Sequence, residues 1–104
     1  MRVLVFLNPT NKYGTKMEYT ELREFLKKDG YTVFQPEVFM RVVTNRKGAE
    51  KHFRRIRDYA PKTGVIRILK LTEKQYENIE YLVGEENKQE KIVGKNCLIM
   101  IELL

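Results

Sequence analysis

Between Met1 and Leu71 the apolar residues change spacing in an order that few folds can satisfy. "MRVLVFL" is a near-continuous apolar run, the pattern of a strand buried on both faces and so central in its sheet. "NPTNKYG" follows, dense in turn formers. Thr15 and Glu18 stand at capping-box spacing, which starts a helix at about residue 16. Tyr19, Leu22, Phe25 and Leu26 then line one face, with Glu21, Glu24, Lys27 and Lys28 toward water. Gly30 is placed to end that helix.

"YTVFQ" and "VFMRVV" read as two strands separated only by Pro36-Glu37, a connection short enough for an antiparallel hairpin. Asn45 can cap a second helix, whose apolar face is Ala49, His52, Phe53, Ile56 and Ala60, closed by Pro61 and Gly64. "VIRILKL" is the fourth strand. Strand, helix, strand, strand, helix, strand is the order of an α+β ferredoxin-like sandwich, βαββαβ. Beyond it, Thr72 and Gln75 suggest a short capped turn, and "IEYLV" a fifth short strand. The expected organisation is a core with its extension over residues 1–84, a polar linker arm over 85–96 and an apolar strand over 97–104. An unpaired apolar edge invites aggregation, so that last strand should be covered. Its own sheet or a second subunit would serve, and the arm favours a homodimer through Leu98, Met100 and Leu103.

Charge separates the chain in two. Residues 1–60 hold 13 Lys and Arg against 7 Asp and Glu, while residues 61–104 hold 7 of each. The whole excess of +6 therefore lies in the first part, as a surface for a polyanion would require. Arg46, Lys47, Lys51, Arg54, Arg55 and Arg57 crowd the second helix against Glu50 and Asp58. A merely solvated helix face mixes signs more evenly, and the arginine fork suits phosphate oxygens. No Gly-rich phosphate loop is present, which excludes the common nucleoside-triphosphate chemistries. No apolar run nears the roughly 20 residues of a membrane span. No secretory signal is expected, and the single cysteine, Cys97, fits a core thiol and a cytoplasmic address. His52, the one histidine, fits a partly buried structural role.

Three stretches together carry a resemblance: "VLVF" with its Pro-Thr turn, "EYTELREFLKKDGYTVFQPEVF", and "VIRILKLTEKQYENIEYLVGE". They resemble the small CRISPR-associated adaptation protein family (Cas protein two). The resemblance implies a ferredoxin-like homodimer whose C-terminal strand pairs with the other subunit. It further implies a subunit that bridges dimers of the CRISPR integrase and lies along duplex DNA during spacer acquisition. Some members are described as metal-dependent endonucleases on RNA or DNA. In those, an aspartate at the end of strand one faces its twin and is taken to hold magnesium.

Here the aspartate position carries Asn8, and the hairpin serine position carries Glu37. Arg23, Phe25 and Phe39 keep the family pattern. An amide brings no charge to a metal, and lost ligands cost about 10–100-fold in affinity or activity. The expectation is thus a DNA-binding scaffold with weak or absent nuclease activity and Mg2+ held weakly or not at all. An active endoribonuclease, CRISPR-associated or toxin-like, is the alternative, with Glu37 the only non-helical carboxylate in the first half. A ferredoxin-like domain regulated by a small ligand is the third.

Overall fold

Both faces of the strand β1 (Arg2–Asn8) are covered, and Val3 and Val5 have no exposed surface at all. A strand so apolar can lie only in the middle of a sheet. In the computed structural model, which describes residues 1–9 and 15–85, β1 has an antiparallel neighbour on each side. One is β3 (Val38–Val42), which pairs Val5 with Phe39, and the other is β4 (Val65–Leu71), which pairs Leu4 with Leu69. The hairpin strand β2 (Thr32–Gln35) adds to β3, so the order is β2-β3-β1-β4. This is the expected α+β, ferredoxin-like arrangement.

Alternation along β1 divides the apolar residues between two layers. Val3, Val5 and Leu7 meet the helices α1 (Thr15–Lys28) and α2 (Arg46–Tyr59). Tyr19, Leu22 and Leu26 of α1 are fully buried there, with Ala49 and Ile56 of α2. Gly30 ends α1 as expected, at φ 92°. Its amide donates to the Lys27 carbonyl and the Tyr31 amide to the Leu26 carbonyl, the two bonds of a Schellman motif. Asn45 caps α2 by accepting from the Gly48 amide at 2.9 Å. Ala60, expected on the apolar face, instead stands exposed as the C-cap.

The opposite face carries Leu4, Val38 and Met40 beneath a short helix, α3 (Glu73–Glu77), whose Tyr76 is buried against them. The capping box expected of Thr72 and Gln75 is formed. Arg2 fastens this helix. It is 1% exposed, donates to Glu73 at 3.1 Å and lays its guanidinium 3.6 Å from the centre of the Tyr76 ring. The fifth strand expected at "IEYLV" is not formed: residues 79–83 are irregular. Ile79 packs beside Tyr76, whereas Leu82 and Val83 are each 93% exposed. The arm from residue 86 and the strand 97–104, with Cys97, Leu98, Met100 and Leu103, lie outside the described residues. Among the described residues no helix is long and apolar enough to cross a membrane.

The Arg2–Glu73 pair is asymmetric, since the guanidinium is buried and the carboxylate reaches water. Glu73→Ala removes a carboxylate bonded to a buried cation, at a cost of about 3 kcal/mol. Arg2→Met keeps the volume and frees a carboxylate that can hydrate, at about 1 kcal/mol. Urea denaturation of the two variants should show that ranking. Equal losses would mean that Arg2 is solvated.

Candidate functional site

Asn8 is the last residue of β1, exposed and paired with Val65 at the start of β4. Its backbone is held by what lies beneath. Gly64 turns at φ 80°, where an added Cβ would run into the Tyr19 hydroxyl and lie 2.8 Å from the Asn8 carbonyl oxygen. The Tyr19 hydroxyl donates to the Thr63 carbonyl at 2.8 Å. Burial raises the pKa of this phenol, and the nearby Arg23 partly opposes the rise. A glycine, a buried tyrosine and a strand end therefore fix where residue 8 presents its side chain.

Glu37 lies beside the same strand end, because its carbonyl accepts from the Leu7 amide at 2.8 Å. It occupies the hairpin turn at φ 64°, a left-handed conformation that a side chain adopts only at a cost. From there its carboxylate meets Arg23 of α1 in a two-pronged bond. Nε donates to Oε1 at 2.9 Å and a terminal nitrogen to Oε2 at 2.7 Å. The hydrogen bond to Glu37 is also what chiefly raises the Arg23 pKa. Both carboxylate oxygens are thus engaged by a cation. Among the described residues no three His, Cys, Asp or Glu side chains gather as a metal would need. A neutral amide beside a carboxylate already held by arginine does not fit a magnesium ion, which takes oxygen donors, usually including free carboxylates.

All six basic residues expected on α2 are exposed, yet they divide into two groups. Arg55 turns back onto Asp29, 2.5 Å from Oδ1. Asp29 sits at the end of α1 with its side chain 5% exposed, and gathers two further groups. Arg41 of β3 pairs with it at 3.6 Å, and His52 Nδ1 lies at 3.2 Å. This cluster ties α2 to α1 and to the sheet. Arg46, Lys47, Lys51, Arg54 and Arg57 form no ion pair among the described residues. Lys47, Lys51 and Arg54 follow one another at steps of four and three, so they form a single stripe along the helix.

Of the residues that keep the family pattern, Phe39 is buried in the core and Phe25 stacks on Tyr59 with ring centres 4.0 Å apart. Arg23 holds Glu37. Sequence reasoning missed the Asp29 cluster and the Arg23–Glu37 pair. The signal available was Asp29 immediately before the glycine that ends α1, a position close to both neighbouring elements. His52 is half-buried, as expected. Burial lowers its pKa, with Arg41 acting in the same direction and Asp29 against it.

A family model described as CRISPR associated protein Cas2 matches residues 13–79. Among curated relatives, the CRISPR-associated endoribonuclease Cas2 of Acidovorax ebreus (strain TPSY) is 38% identical over 95 residues, covering 90% of this chain and 93% of the relative. The protein of the same name from Ligilactobacillus salivarius (strain UCC118) is 32% identical over 101 residues, covering 96% of this chain and all of the relative.

Two outcomes follow from the geometry. Gly64→Ala forces the Tyr19 hydroxyl and the Asn8 strand end apart and should cost about 1–3 kcal/mol in thermal or urea unfolding. Folded His52 holds its proton less tightly than the unfolded chain does. Its share of stability is therefore full above about pH 6.5 and fades as pH falls through the folded value. From about pH 7 to about pH 5 the unfolding midpoint should drop faster for wild type than for His52→Gln.

Proposed function

The chain belongs to the CRISPR associated protein Cas2 family, and from that premise we propose that it is a scaffold for spacer acquisition rather than a nuclease. In this reading a homodimer in the cytoplasm binds duplex DNA and bridges dimers of the CRISPR integrase. It does not cut at the end of β1. The observation that carries the reading is the state of that strand end, where Asn8 is neutral and Glu37 is locked by Arg23.

Metal-assisted phosphodiester hydrolysis needs anionic oxygens to hold the cation, and that cation in turn polarises the phosphate and activates water. Neither residue at this strand end offers a free anionic oxygen. Binding needs much less. Lys47, Lys51 and Arg54, with Arg46 and Arg57, supply exposed positive charge that phosphates attract, and each contact releases counterions from the duplex. Such contacts go to the backbone, so little base preference is expected. A second subunit would also cover what this one leaves open. Among the described residues β4 is an edge strand, with Val65 and Leu69 40% and 46% exposed, and Leu82 and Val83 are bare as well. The relatives' name, endoribonuclease, favours the competing reading of an active enzyme.

A paired cleavage assay decides between the two. Wild type and Asn8→Asp are incubated with single-stranded RNA and with duplex DNA, in magnesium, in manganese and in chelator. Wild type is expected to leave both substrates intact. Metal-dependent cutting by wild type that stops in chelator overturns the proposal. Binding is tested separately: the double-logarithmic slope of duplex affinity against salt should flatten by about 0.9 for each of Lys51→Ala and Arg54→Ala.

A further inference from the structure

Across the outer side of the helical layer, away from the basic stripe, runs a groove of about 330 Å³ between α1 and the last turn of α2. Its floor is the Phe25–Tyr59 stack, the two rings inclined by only 10° and Tyr59 53% exposed. Its rim is Glu21 and Glu24, one helical turn apart, with Lys28 at one end. A second depression of about 360 Å³ shares Glu21 and Tyr59 and adds Glu18 and Asp58, with Lys62 beside them. None of these four carboxylates is in an ion pair among the described residues.

That is an unexpected place for uncommitted negative charge. The chain as a whole carries +6, and Asp29, Glu73 and Glu37 are each paired with an arginine. Free carboxylates here surround a flat, exposed aromatic surface, and the two features together select a ligand. A phosphate backbone is repelled by the rim. A purely apolar segment would bury the carboxylates without partners. A guanidinium satisfies both, because its plane stacks on a ring while its fork bonds carboxylate oxygens. The stack already receives one from within the protein, since the Arg55 guanidinium lies 5.8 Å from the centre of the Phe25 ring.

We propose that this α1–α2 groove docks an arginine-bearing segment of a protein partner. The groove takes only Tyr59 from α2, about 140° around the helix from Arg54, whereas Asp58 of the second depression continues the basic stripe one turn beyond Arg54. A segment confined to the groove therefore leaves the stripe free.

The test uses the full chain and a blocked Gly-Arg-Gly-Arg-Gly peptide, with lysine and citrulline versions as controls. Binding is followed by calorimetry and by backbone amide shifts. The arginine peptide should bind saturably and move the amides of Glu21, Glu24, Phe25 and Tyr59. The lysine peptide, which has neither plane nor fork, should bind about tenfold more weakly. The surface pair Glu21→Gln with Glu24→Gln should lose at least about tenfold while keeping its circular dichroism spectrum and its affinity for duplex DNA. Absence of saturable binding, equal affinity for the citrulline peptide, shifts that map to another surface, or displacement of the peptide by duplex DNA would each overturn the proposal.

Discussion

Both faces of β1 are buried, and that one requirement organises the rest of the molecule. A strand with Val3, Val5 and Leu7 on one side and Leu4 and Phe6 on the other needs cover on both. Two amphipathic helices meet the first need. Among the described residues the second is met by α3 and Ile79, and Val65 and Leu69 on the edge strand keep exposed apolar surface. Arg2 is buried under this cover. Its guanidinium spans from the sheet to Glu73 and the Tyr76 ring, and so anchors a helix of only five residues. So short a helix has little stability of its own, and tertiary contacts must supply the rest.

The strand's end is built with the same economy. Tyr19, Gly64 and the Leu7–Glu37 backbone bond define the position of residue 8 closely. What that position presents is an amide, and the neighbouring carboxylate is bonded through both oxygens to an arginine. A closely defined position is therefore occupied by a residue that has no charge. Charge has been used for cohesion here. Glu37 joins the hairpin to α1, and Asp29 joins α1, β3 and α2.

This use of charge sorts the surface. Arginines that serve Asp29 and Glu37 hold the fold together, while Lys47, Lys51 and Arg54 remain available outside it. Carboxylates sort in the same way, into Asp29, Glu37 and Glu73 with arginine partners and a group of four around the Phe25–Tyr59 groove. A count of charges on α2 cannot separate these classes. Arg54 and Arg55 are adjacent in sequence, yet a step of about 100° around the helix turns one outward and the other onto Asp29.

Local pattern was enough for β1, the two long helices, the β2–β3 hairpin, and the caps at Asn45 and Thr72. Each depends on residues a few positions apart, where period and capping chemistry act directly. It failed at "IEYLV", where a short apolar run looks strand-like but one residue, Ile79, reaches the core and Leu82 and Val83 do not. The sequence by itself also determined that residue 8 cannot ionise and that the positive charge lies in the first sixty residues. Only the tertiary structure decided which charges are free. Arg2 and Glu73 are 71 residues apart, and Arg23 and Glu37 come from a helix and a hairpin turn. A pair of that kind depends on how layers pack, and no spacing along the chain encodes it.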